Sequence, residues 1–99
     1  REVAEGKQYQ GEDESIAYTI DVSAIGSAPS SVSAVVKDVT NGTVVTATVM
    51  PTNVPTVSGN VITLSPLKQL TPSVLYRVEV KYTISGNILE NYFLVQGQE

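Results

Sequence analysis

The sequence has no cysteine, no histidine and no tryptophan. Without cysteine no disulfide can staple a small fold, so the core must hold the chain by itself. Without cysteine and histidine, neither a Ser-His-Asp nor a Cys-His arrangement can be built, and neither can a zinc site of the usual kind. The formal net charge is −4. That works against nucleic-acid binding, which needs a basic face to displace counterions from phosphates. No apolar run approaches the roughly 18 residues a membrane span requires. No signal-peptide pattern is visible. Leu, Ala, Glu and Lys, which build helices, are comparatively sparse, and no long segment shows helical periodicity.

What the sequence does have is valine, serine and threonine. Val and Thr are stiff at χ1 and pack well on pleated surfaces. The 99 residues suffice for one domain. A domain of that size buries roughly two-thirds of its unfolded surface. Residues 1–14, REVAEGKQYQGEDE, carry much of the charge and read as a polar lead-in, with a short edge strand around Lys7–Gln10. Residues 15–99 read as a single β-domain.

Several segments alternate with period two, the mark of half-buried strands. In 15–23, Ile16, Tyr18, Ile20 and Val22 share one face. In 75–84, Tyr76, Val78, Val80, Tyr82 and Ile84 share one face, and Arg77, Glu79 and Lys81 lie on the other. Between 31 and 50, Asn41-Gly42 separates two β-rich runs, the strongest short hairpin signal, since a type I′ turn needs φ > 0 at both central residues. With those two as the loop, Thr40 pairs Thr43, Val36 faces Ala47 and Ala34 faces Val49. Asp38 then falls on the apolar face near the turn. Residues 51–60 read as loop, 61–64 as a short strand, and 65–73 as a corner with a 3₁₀ turn near Leu67–Leu70. The run 88–96 returns from Ser85-Gly86-Asn87. A two-residue loop at Gly86-Asn87 brings Leu89, Phe93 and Val95 to the inner face of 75–84. A three-residue loop brings Ile88, Tyr92 and Leu94 there. The first is preferred because it buries Phe93.

About seven short strands at intervals of roughly 8 to 12 residues suggest an antiparallel two-sheet sandwich. The corner Leu70-Thr71-Pro72, followed by Tyr76, Val78 and Val80, resembles that of immunoglobulin-like and fibronectin type III domains. The resemblance implies an immunoglobulin-like fold. It also implies that Tyr76 packs on Leu70 and donates its hydroxyl to the corner backbone, so that Leu70, Pro72 and Tyr76 are structural. No cysteine pair bridges the sheets, so an antibody-type domain is excluded.

A wider resemblance rests on Asp21-Val22-Ser23, Asp38-Val39-Thr40, Thr46-Ala47-Thr48-Val49, Val61-Ile62-Thr63-Leu64 and Tyr76-Arg77-Val78-Glu79-Val80. In these runs the chain resembles small proteins of tailed-phage and prophage structural gene clusters. This implies a virion or extracellular location and an accessory or adaptor role among other protein chains, with no catalytic residue to carry over.

The residues offer little chemistry of their own. Lys7, Lys37, Lys68 and Lys81 fall on outer faces or loops, and no cleft for a carboxylate pair is evident. No enzyme, cofactor or metal site is expected. Glu12-Asp13-Glu14 is dense enough to suggest calcium, but consecutive residues on an extended chain point in opposite directions. It reads as a solvated run that discourages edge pairing. Asn41-Gly42-Thr43 matches a glycosylation sequon, but the turn already accounts for it.

The run Thr43–Met50 carries no charge and no proline, so an edge strand there would be undefended. Docking or self-association through it is expected, with Val44, Thr46 and Thr48 at the contact. The functional expectation is a structural or adaptor module that binds neither nucleic acid nor membrane. The alternative is a bacterial cell-surface spacer or carbohydrate-binding module, for which Tyr9 and Tyr92 are the only outward aromatic platforms.

Overall fold

The computed structural model describes residues 7–99. Ten strands and one helical turn follow in chain order among the described residues. They are β1 (Gln8–Gly11), β2 (Ser15–Ile16), β3 (Thr19–Asp21), β4 (Ser30–Asp38), β5 (Thr43–Val44), α1 (Thr46–Val49), β6 (Thr56–Ser58), β7 (Val61–Thr63), β8 (Leu67–Lys68), β9 (Leu75–Ile84) and β10 (Asn87–Gln98). The large sheet has the order β1-β10-β9-β4-β5, and two small sheets are β2-β8 and β3-β7-β6. One apolar cluster joins them. Ala34, Val36, Val78, Val80, Tyr82, Phe93 and Val95 come from the large sheet, and Ile20, Ile62 and Leu67 from the small ones. The arrangement is all-β and compatible with a sandwich.

The strands exceed the expected seven because interruptions divide them. Residues 15–23 do not form one strand. β2 pairs β8 and β3 pairs β7, and the ladder breaks where Pro66, with no N–H to give, separates β7 from β8. The alternation survives the break: Ile20 and Val22 are buried, and Ile16 and Tyr18 half-buried. The expected 3₁₀ turn at Leu67–Leu70 is absent. Leu67 and Lys68 pair with Ile16 and Ser15, and the chain reverses at Gln69 with φ +59°. One pairing is not antiparallel, because β1 runs parallel to β10, with Gln8 beside Val95 and Gly11 beside Gln98.

Both large hairpins shift by two residues from the expected register, which leaves the side chains of the paired residues on their expected faces. β10 meets β9 with Asn87 opposite Ile84 and Phe93 opposite Val78. The loop is therefore Ser85-Gly86, with φ +51° and +81°, the two positive values a type I′ turn needs. Leu89, Phe93 and Val95 face inward. At the other hairpin Thr43 pairs Asp38 rather than Thr40, making a four-residue loop. The cause is Asp38. Its carboxylate accepts from Asn41 N at 2.9 Å and Asn41 Nδ2 at 2.8 Å, and its carbonyl accepts from Gly42 N at 2.7 Å. Only Gly42 in this loop takes a positive φ, +75°.

The expected strand 43–50 is corrected most. β5 stops at Val44 and α1 follows. A strand could send Val49 inward only by sending Met50 outward. The helical turn buries both. Tertiary burial thus overrides the preference of Thr and Val for extended backbone.

Candidate functional site

The outer face of the large sheet is the candidate site. Alternation along β9 turns Arg77, Glu79 and Lys81 away from the core, and along β4 it does the same to Val35 and Lys37. Register then brings Lys37 beside Arg77 on one side and Val44 on the other. A groove of about 480 Å³ lies there, lined by Lys37, Val39, Gly42, Val44, Arg77 and Glu79, among others. Val44 is 64 % exposed, and Val35 and Val39 are exposed as well.

Glu79 joins two cations. Its Oε2 lies 3.4 Å from Lys37 Nζ and 3.0 Å from Arg77 Nε. The Arg77 contact is an ion pair without hydrogen-bond alignment, since Nε has no hydrogen-bond partner. Such half-exposed pairs contribute about 0–1 kcal/mol each. The Arg77 guanidinium carbon also sits 3.9 Å from the centre of the Tyr92 ring, a cation–π contact that fixes the head group. The face therefore offers apolar β-branched surface beside a stacked arginine, a composition suited to recognising another chain.

The three expected docking residues do not form one surface. Val44 rims the groove. Thr46 is turned onto its own chain, where its hydroxyl accepts from Val36 N at 2.9 Å. Val45 N donates to Val36 O at 2.9 Å, and Asn53 Nδ2 donates to Ala34 O at 2.9 Å. The edge of β4 is thus covered from within the chain, partly by the 51–60 loop. Thr48 is exposed on α1.

The corner residues are brought together. Leu70 and Tyr76 are buried and Pro72 half-buried. Thr71 N donates to the Tyr76 hydroxyl at 2.8 Å, so the hydroxyl accepts there rather than donates. The corner also leans on β10, since Ser73 N donates to Gly97 O and Gly97 N to Val74 O, both at 2.9 Å. The acidic run does not converge. Glu14 Oε1 accepts from Gly11 N at 2.6 Å, and Glu12 and Asp13 face solvent. Among the described residues no three acidic side chains are grouped to hold a metal ion.

Two buried polar nodes escaped the sequence reading. Gln10 is fully buried. Its Nε2 donates to Leu67 O at 2.6 Å and to Glu14 O at 3.0 Å, and its Oε1 accepts from the Tyr18 hydroxyl at 2.9 Å. Burial, helped by the charge of Glu14, pushes the Tyr18 hydroxyl above the ordinary tyrosine range. In the second node the Tyr82 hydroxyl donates to Asn91 Oδ1 at 3.0 Å, with both residues buried. The inward position of Asn91, two residues before Phe93, was the signal for it. Gln10 carried no signal, because its burial depends on a parallel pairing.

No family model, curated protein or solved structure matches the chain.

Proposed function

We propose that this chain is a non-enzymatic interaction module of immunoglobulin-like topology that docks on other protein chains of a larger assembly, a phage or prophage virion. The topology is supported by strand order. β3-β7-β6 correspond to the B, E and D strands of such a sandwich, and β4-β9-β10 to its C, F and G strands. The docking role rests on one observation: the groove beside Val44, where exposed valines adjoin Arg77 stacked on Tyr92. Arginine and aromatic residues beside apolar surface are the composition of interface centres. The carbohydrate reading is weaker, because the Arg77 guanidinium already covers the Tyr92 ring and Lys7 Nζ lies 5.3 Å from the centre of the Tyr9 ring.

The test uses Val44→Lys and Arg77→Glu, each checked for folding by circular dichroism. Immunogold electron microscopy of particles from a producing culture should label the parent and show reduced labelling for both variants. Particles free of the parent protein would refute the virion assignment. Folded variants that incorporate like the parent would refute the groove as the contact.

A further inference from the structure

The Asn41-Gly42 pair holds chemistry that neither the fold nor the groove uses. When glycine follows asparagine, no Cβ hinders the glycine nitrogen from approaching the asparagine side-chain amide. Both residues are exposed, and a Cβ at Gly42 would meet nothing within 4 Å, so the loop has room to rearrange. Yet Asp38 holds both reacting groups. Its carbonyl accepts from the would-be nucleophile Gly42 N at 2.7 Å, and its Oδ2 accepts from the would-be leaving group Asn41 Nδ2 at 2.8 Å.

We propose that Asn41 is a site of spontaneous deamidation, that Asp38 restrains the reaction in the folded protein, and that the product opens the β4–β5 hairpin. The Gly42 nitrogen forms a bond to Asn41 Cγ and gives up its proton. The Cγ–Nδ2 bond breaks and the nitrogen departs as ammonia, leaving a succinimide. Water then opens the ring at either carbonyl, giving aspartate or isoaspartate, with no oxidation or reduction. To begin, Gly42 N must leave Asp38 O and turn toward Cγ, which the fold resists and the unfolded chain does not.

The product inverts a contact that holds the turn. A donor amide beside Asp38 Oδ2 becomes a carboxylate, and like charges so close repel. Asp38 is buried, so water screens that repulsion poorly. Isoaspartate also lengthens the main chain by one carbon within a four-residue loop. The loop keeps β5 against β4 and so keeps Val45 N and the Thr46 hydroxyl on Val36. Release of the turn exposes those Val36 groups as an unpaired strand edge, the kind of surface that recruits another strand.

Peptide mapping by mass spectrometry measures conversion at Asn41 during warm incubation at neutral pH, folded and in guanidinium chloride. Conversion should be severalfold slower in the folded protein, and faster in folded Asp38→Asn than in the folded parent. The Asn41→Asp variant mimics one product. Its Val36, Gly42 and Val45 amides should exchange with deuterium severalfold faster than the parent's. No conversion at Asn41 in the unfolded chain overturns the site. Equal rates folded and unfolded, or a folded Asp38→Asn at the parent rate, overturn the restraint. Unchanged exchange in Asn41→Asp overturns the opening of the hairpin.

Discussion

Gln10→Met removes the polar node and keeps the side chain's length. Methionine is flexible and close in volume, so the loss of packing is small. The polar consequences are not. The Leu67 carbonyl, which accepts from Gln10 Nε2 inside the protein, is left without that donor, and an unsatisfied buried group costs about 1–3 kcal/mol. The Tyr18 hydroxyl loses its acceptor, worth roughly a further 0.5–1.5 kcal/mol. The Glu14 carbonyl, on an exposed residue, can turn to water. The sum, about 2–4 kcal/mol, is a large share of the ~5–15 kcal/mol by which a domain is stable. With an m-value of roughly 2 kcal/mol per molar urea, typical of a small domain, the unfolding midpoint should fall by about 1–2 M. Urea titration followed by circular dichroism reads that shift. Deuterium exchange should show the β1 amides opening earlier than those of β9, because Gln10 ties the first strand to β8. A midpoint equal to the parent's within error would refute the view that residues 8–11 belong to the cooperative core.

Tyr76→Phe strips the Thr71 N–H of its acceptor and should cost about 1–2 kcal/mol, read as a lower melting temperature with no change in docking by the folded fraction. Gly97→Ala should be worse, since a Cβ there collides with the Thr71 carbonyl. Backbone has to move, and such overpacking costs about 1–3 kcal/mol or more; wild-type stability in that variant would contradict the corner's packing on β10. The raised hydroxyl of Tyr18 bears on alkaline stability. The folded state disfavours the phenolate, so this contribution is complete below the ordinary tyrosine value of about 10 and is lost as pH rises through the folded value. Titration should show Tyr18→Phe less stable than the parent near neutrality but flatter above that range.

The inner and outer faces of the long strands were legible because alternation is local. Tyr76, Val78, Val80 and Tyr82 point inward for the same reason that Arg77, Glu79 and Lys81 point outward, and no knowledge of partners is needed. Leu70, Pro72 and Tyr76 could be grouped because they lie close along one stretch of chain, but the direction of the bond could not be read, since the Tyr76 hydroxyl accepts from Thr71 N where donation was expected. Hairpin registers were not legible from pattern: both faces of 88–96 are apolar, and only the preference for burying Phe93 chose between a two-residue and a three-residue loop. Faces survive a shift of two residues, so the pattern cannot distinguish Ser85-Gly86 from Gly86-Asn87 as the loop.

The candidate site was half visible. Val44 was in view as an uncharged residue beside a turn. Arg77, Glu79 and Tyr92 were placed on an outer face, but nothing in their spacing says that Lys37 shares Glu79 or that the guanidinium covers the ring. Thr46 was misplaced because composition favoured a strand, whereas burial of Val49 and Met50 together required a helical turn.

Local chemistry therefore made this chain β-rich, without cysteine or histidine chemistry, and set which side of each strand is apolar. Long-range packing made the remaining choices. It set β1 parallel to β10, carried Gln10 into the interior, and folded Thr46 back onto Val36 to cover an edge. Each of these joins residues far apart in sequence or exchanges one satisfied backbone group for another. Their free energies depend on which partners the finished fold brings within reach, and periodicity along the chain carries no record of that.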